Sequence, residues 1–548
     1  MTQPAYFFTV EVDTYLPGVT VAATAPGHGT APHGVLGVSV TAAQGTLYAS
    51  DLGYRSLASD PGGVIPYPPL LDQAFAIDRK INLDPTSPYV GAAWGAISLS
   101  NERGAFNGIA AAQNSDGRGV RIAVGAKVWD ATRGLWLDLT QTINQALFYG
   151  IAEPWTLSLE TLDIPLRDAT YWLEKPLQAN LYDGSGGYGG GADLTGKPKP
   201  KARGGTSTWP IRNVAPVLID AANLIYQYSD AAGTVVALYE GGDTNITFQA
   251  DTGNLYAGST TAGRYRTDNS RGLFQLGSVA QRQITADVTG QFPGAGVVTT
   301  CAAIARYLLT EDGSLPTGYL DATTFAAIDG AYPYTGGIWM SPDDTLDAVS
   351  AAGFMVAGFG GKIFPKRDGT LSVLALRTPS PASAIYARLT AANIVSCQPV
   401  ALPPNLYPPP YRLRVGYQKA WTVQTSGFSP VISAARQSFI AQAWRSVASV
   451  SSAIQAAYRR PNDPDVIATG LLDPFTAGLV APDLLATWAA RRRVYAVTIP
   501  IAAALNLEIG NTVLLSYPLD DLRNGQPGVI IGEQIRSQDA TSTLMVMI

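Results

Sequence analysis

Two histidines, two cysteines and a few carboxylate pairs are the residues of this 548-residue chain whose types lend themselves to chemistry. His28 and His33 stand in PGHGTAPHG, where a five-residue spacing in a Gly/Pro loop could bring both imidazoles to one metal. No third ligand lies near them, and a zinc site needs three or four. So little histidine leaves few arrangements for a Ser-His-Asp or Cys-His mechanism, and no G-x-S-x-G elbow occurs. Cys301 and Cys397 sit in apolar surroundings, TTCAAIARYLL and NIVSCQPV, which predicts buried free thiols rather than a disulfide framework or a four-thiolate metal site. Glycoside hydrolysis needs only two carboxylates. The pair Asp343 and Asp344 reads as helix capping, however, and Asp520 with Asp521 as a turn. The P-loop pattern is absent, so neither a catalytic residue nor a metal or cofactor is expected.

The most unusual stretch is YDGSGGYGGGADLTGKPKPKARGG, residues 182–205. Lys197, Lys199, Lys201 and Arg203 recur at every second position, with Pro198 and Pro200 between the lysines. Proline fixes φ near the extended region and pushes the preceding residue there too, so the basic half is read as extended and the glycine half as a flexible strap. Side chains repeat every two residues in extended chain, which aligns the four cations along one face. Nucleic acid or acidic lipid could meet such a run. The flanking Gly and Pro, without interleaved aromatics, favour a protein tether laid against an acidic groove of a neighbouring subunit.

The elements that must position these residues are mostly strands. Charged residues make up only 14%, Gly and Pro are plentiful, and net charge is −5, a mix that suits a turn-rich β protein with covered surface rather than disorder or a basic nucleic-acid binder. Strands are predicted over 7–12, 18–24, 75–81, 94–100 and 119–125, with weak helical spacing at 110–112. Residues 155–177 read as a strand ending in a short helix or turn before Pro176. A strand pair is expected over 271–290 with Gly277 in the bend, then a helix over 299–309 capped by Thr. A second helix is predicted to open at Ser341-Pro342 and end near Gly353, followed by a hairpin centred on 367–369. A long strand is expected over 411–424, a helix over 482–492 with Pro482 at its first position, and closing strands that form a compact β-barrel-like unit. The fold class is therefore α+β, predominantly β and multidomain, with a few short helices. Boundaries are expected at an N-terminal β-rich unit (1–181), the strap (182–205), a second α+β unit (206–395) and a strand-rich C-terminal unit (396–548). The N-terminus lacks the pattern of a signal peptide and no apolar run reaches membrane-helix length, which predicts synthesis in a cytoplasm without standard export.

Several segments in order resemble tail-tip proteins of tailed bacteriophages, prophages and gene transfer agents. They are YASDLGYRS (48–56), YPPLL after it, GAISLSNERGAFNGIAA (95–111), GRGVRIAVG (117–125), the strap itself, VAPVLIDAANLIYQYSDAAG, RGLFQLG with QITADVTG, and LNLEIGNTVLLSY (505–517). The resemblance implies the baseplate hub of a long-tailed, siphovirus-like particle. Such a hub is a homotrimer whose chains each supply two tube-like antiparallel β-barrel or sandwich domains, presenting a pseudo-sixfold face to a sixfold tube. Implied partners are the distal tail ring, the C-terminus of the tape-measure protein and central spike or fibre proteins. DNA would pass through a mildly acidic lumen without specific binding, and the location would be the virion, with no membrane in the assembled tail. Some relatives carry peptidase or glycosidase domains, but no residues here match one. The alternatives are a tail-associated cell-wall-degrading enzyme and a receptor-binding adhesin.

Overall fold

The computed structural model describes residues 5–16, 43–85, 91–379, 383–402 and 406–548. Strands dominate over helices, as the turn-rich sequence predicts. The expected strand over 18–24 lies outside the described residues, as do His28 and His33.

A fifteen-stranded sheet forms the frame. Its path runs Ala43–Ser50, Ala5–Leu16, Arg118–Asp130, Gln145–Ala152, Thr161–Arg167, Ala92–Ser100, Ala76–Lys80, Gln526–Arg536, Thr541–Met547, Val494–Pro500 and Ser396–Val400. Alternation of apolar and polar residues puts Phe8, Val10 and Val12 on one buried face beside Val120, Ile122 and Val124 of the next strand. The ladder between Ala76–Lys80 and Gln526–Arg536, with Gly532 opposite Lys80 and Ile535 opposite Ile77, joins the expected N-terminal unit directly to the expected C-terminal one. The closing strands are thus the continuation of one sheet across the boundaries at 181 and 396.

Arg79 and Glu533 explain how that seam tolerates charge. Arg79 is buried and donates to Glu533 at 2.5 Å and to Glu508 at 2.7 Å, while Arg367 forms a second fork on Glu533 and Ser542 donates to it at 2.6 Å. Two cations meet two carboxylates from four separate segments, so no buried charge is left uncompensated.

The middle of the chain builds two five-stranded sheets. One contains Ile211–Val214, Ile284–Gly290, Lys201–Gly204, Gly337–Met340 and Gly233–Glu240; the other contains Val217–Asp220, Ile225–Gln227, Leu273–Leu276, Arg264–Asp268 and Thr247–Asp251. The strands expected to pair over 271–290 therefore fall in different sheets: the chain leaves the second at Gly277, whose backbone packs onto the carbonyl of Thr261, and enters the first at Ile284. Three helices, Cys301–Tyr307, Ala322–Ala331 and Ala348–Val356, share the largest core with the C-terminal strands. Cys301 and Cys397 are both buried free thiols, as predicted. Burial pushes the thiol pKa of each upward, which keeps them protonated and inert.

Two helix starts differ from expectation. Ser341 and Asp344 close a tight turn, with the Ser341 amide donating to Asp344 at 2.6 Å, and the helix begins only after Asp347, whose carboxylate accepts from Ser350. The later helix spans Pro474–Trp488, capped by Asp473. Pro482 lies inside it. The strand expected over 411–424 is confined to Arg412–Tyr417, paired with Arg445–Val450.

Candidate functional site

The glycine half of the strap is a folded loop held by its own backbone. Tyr182 donates to the Lys197 carbonyl at 2.9 Å, Gly196 donates back to Tyr182 at 2.9 Å, and Gly184 and Gly186 bond to Gly189 and Gly190. Positive φ at Gly184, Gly186, Gly187, Gly190 and Gly196 makes this compact path open to glycine and strained for other residues. The Tyr182 ring is buried as its anchor, packed with Leu194, Ile219 and Leu255.

The basic half is extended, as proline and alternation require, and it enters the sheet. Lys201–Gly204 is an interior strand between Gly337–Met340 and Ile284–Gly290, with Pro200 just before it where no ladder donor is needed. Gly204, at φ +88, lets the strand approach so closely that a Cβ there would lie 2.6 Å from the Gly336 carbonyl oxygen.

Side chains two apart face the same way, so Lys201 and Arg203 both reach the same pair of carboxylates. Lys201 Nζ lies 2.6 Å from Asp312 and 3.5 Å from Asp230; Arg203 binds Asp312 through Nε and Nη2, both at 2.9 Å, and Asp230 through Nη1 at 2.9 Å. The four side chains are at most 5% exposed. Asp230 lies in the loop after Ile225–Gln227, and Asp312 ends a π-turn, Leu308–Asp312, anchored by buried Leu308 and Leu309. Burial pushes the Asp230 carboxyl up, but Arg203 and Lys201 outweigh it and hold it below the usual carboxylate range. Burial likewise opposes the charge of Arg203, and Asp312 and Asp230 reverse that effect.

This corrects the expected partner of two strap cations. An acidic receiver for Lys201 and Arg203 exists, but it belongs to the same chain, and the closed two-by-two network leaves them nothing to offer a neighbour. Lys199 lies over the Tyr182 ring at 5.4 Å, and Lys197 is exposed. These two remain the surface part of the candidate inter-subunit strap.

The other candidates disperse. Asp343 and Asp344 belong to the turn before the Asp347 cap, and Asp520 and Asp521 fall in the 3-10 turn Asp520–Asn524. Among the described residues no group of three His, Cys, Asp or Glu is placed to hold a metal ion, and no helix is long and apolar enough to cross a membrane.

The sequence reading missed a surface feature. Arg118–Asp130 begins inside the sheet at Val120, Ile122 and Val124 and then runs outward to pair with Leu135–Leu137. Trp129 and Trp136 are directly opposite across this hairpin, their rings 5.4 Å apart and edge-on, yet they remain 37% and 40% exposed. Val128 and Leu135 are exposed beside them, and a Lys127–Asp138 ion pair of 2.9 Å fixes the hairpin's base. The available signal was the segment KVWDATRGLWLD, two tryptophans flanking an Arg-Gly turn. Gly134 takes the left-handed φ of +65 that the turn requires.

No family model matches the chain, and no curated protein matches it in sequence. Solved structures similar to it include a tail protein from Neisseria meningitidis MC58, with 11% identity over 90% of this chain and 96% of that one, at a TM-score of 0.34. Another is the 43 kDa tail protein of prophage MuSo2 from Shewanella oneidensis, with 8% identity over 90% and 97% of the two chains and a TM-score of 0.34. A third is a chain of a native gene transfer agent virion, with 14% identity over 64% of this chain and 84% of that one and a TM-score of 0.36.

Proposed function

We propose that the chain is a non-enzymatic structural component of a phage or gene-transfer-agent tail, the baseplate hub at its tip, assembled as a homotrimer in the virion. The observation that carries the assembly role is the outward hairpin with its paired, exposed Trp129 and Trp136 flanked by Val128 and Leu135. Contiguous exposed aromatic and aliphatic side chains on a rigid strand pair are what an interface core requires, and tryptophan is the residue most enriched at such anchors. The low charge content supports the same reading. The ordered segments that resemble tail-tip proteins supply the kind of assembly, and with it the distal ring, tape-measure end and spike or fibres as partners.

In this role the mechanism is mechanical. The large sheet, sealed by the Arg79–Glu533 seam, transmits load between the chain's two ends, while the hairpin and the exposed Lys197 meet neighbours. Electron microscopy of particles carrying the W129A/W136A double substitution tests it: tails lacking an intact tip are expected. Normal, infectious tails would sink the reading.

A further inference from the structure

Three arginines converge on Phe439: Arg212 from the middle of the chain, and Arg436 and Arg445 from either side of that phenylalanine in sequence. The guanidinium carbons of Arg445, Arg436 and Arg212 lie 3.4, 5.2 and 5.9 Å from the ring centroid of Phe439. Arg212 comes from the strand Ile211–Val214, Arg436 from the short helix Ala434–Ile440 and Arg445 from the first residue of the strand Arg445–Val450. A single carboxylate serves them: Asp287, fully buried, takes Arg212 at 2.6 Å and is further occupied by the Asn213 amide and the Tyr239 hydroxyl. Among the described residues Arg436 donates to the Asn213 side-chain oxygen at 2.9 Å and stacks on the Tyr239 ring at 3.7 Å, and Arg445 donates to the Gln418 carbonyl at 3.1 Å.

Three positive charges against one negative leave an excess of two. One nitrogen of each guanidinium, Nε of Arg212, Nε of Arg436 and Nη2 of Arg445, is buried without a hydrogen-bond partner. Unpaired buried donors and like charges at short range are both costly, and a structure that keeps them together carries a need for an anion. Two other buried networks, Arg79 and Arg367 with Glu508 and Glu533, and Lys201 and Arg203 with Asp230 and Asp312, are each charge-balanced, whereas this cluster is not. Burial, then the nearby Arg436 and Arg212, lowers the Arg445 pKa to about 10. All three arginines remain partly exposed, so the cluster is open to solvent on one side.

We propose that Arg212, Arg436 and Arg445 form a binding site for a phosphate-class dianion. Guanidinium forks match phosphate oxygens two at a time, and a dianion neutralises the excess of two. Arg445, held by one carbonyl and stacked on Phe439, is the member that turns to present its free Nη2. The ligand is either free phosphate or a phosphate group carried on a nucleic-acid backbone, and the site stands independently of the tail assignment.

Calorimetric titration of the full chain with inorganic phosphate tests the site, and a parallel titration with a short single-stranded oligonucleotide distinguishes the source. Phosphate is expected to bind in the range of about 0.1–1 mM. R445Q and R436Q should each weaken binding at least ~10-fold, with Arg459→Gln, an exposed arginine elsewhere, unchanged. Tighter binding of the oligonucleotide than of phosphate, lost in the same variants, assigns the site to a nucleic-acid backbone; binding of phosphate alone assigns it to the free ion. Absence of binding by the unsubstituted chain to both probes overturns the proposal without recourse to any variant. Equal phosphate affinity in R445Q and R436Q, with circular dichroism showing both folded, overturns it too.

Discussion

At the scale of single residues, the strap cations show how a surface-like pattern becomes an internal lock. Lys201 and Arg203 repeat at the spacing of an exposed basic arm, yet each is held by Asp230 and Asp312 in the protein interior. Removing one carboxylate leaves two buried cations to share the other, which costs far more than the intact network contributes. Asp312→Asn should therefore lower stability by about 3–5 kcal/mol in urea unfolding, whereas a change within about 0.5 kcal/mol would show that the network is not closed. The same networks set an acid limit. Burial raises the Glu533 carboxyl, but Arg367 and Arg79 outweigh it and bring it down to about 2, and Asp230 is lowered by Arg203 and Lys201. Both folded values lie below the unfolded ones of about 4 to 4.5, so this stability is complete above roughly pH 5 and is lost as pH falls through the unfolded and then the folded values. Urea midpoints measured at pH 7, 5.5 and 2.5 should be close at the first two and fall steeply at the third; a flat profile would contradict the assignment.

At the scale of elements, a four-residue strand carries much of the middle of the fold. Lys201–Gly204 pairs on both sides, and Gly204 has no room for a methyl group and a φ of +88. Gly204→Ala should cost about 1–3 kcal/mol through overpacking, with further strain from the left-handed backbone, read in thermal unfolding. An unchanged midpoint would mean that the strand is not held as described. Several strands were legible because their alternation is local: 7–12, 94–100 and 119–125 lie within strands of the large sheet, and 75–81 overruns Ala76–Lys80 by one residue at each end. Helix starts were harder where two caps compete. Ser341-Pro342-Asp343-Asp344 has the residues of a helix start, yet Asp347 with Ser350 three residues on wins the cap and leaves the first motif as a turn. Pro482 reads as a first-turn proline, but Pro474 after Asp473 occupies that position. The partners of Lys201 and Arg203 were illegible for another reason: Asp312 is more than a hundred positions away, and no periodicity in one segment reports a carboxylate in another.

At the scale of the whole molecule, the decisive contacts join ends that the sequence keeps apart. Ala76–Lys80 pairs with Gln526–Arg536, so one sheet spans regions that composition divides into separate units. That frame carries the Trp129–Trp136 hairpin outward, where it exposes apolar surface that a lone chain has no reason to keep. Coverage of this surface by other copies of the chain is the heart of the proposed role. Its most direct test is the mass of the purified protein in solution at micromolar concentration, beside that of W129A/W136A. An assembly of three times the 57.6 kDa chain is expected for the unsubstituted protein, and a folded single chain for the variant. A monomer in both cases, or a trimer unaffected by loss of both tryptophans, would contradict it.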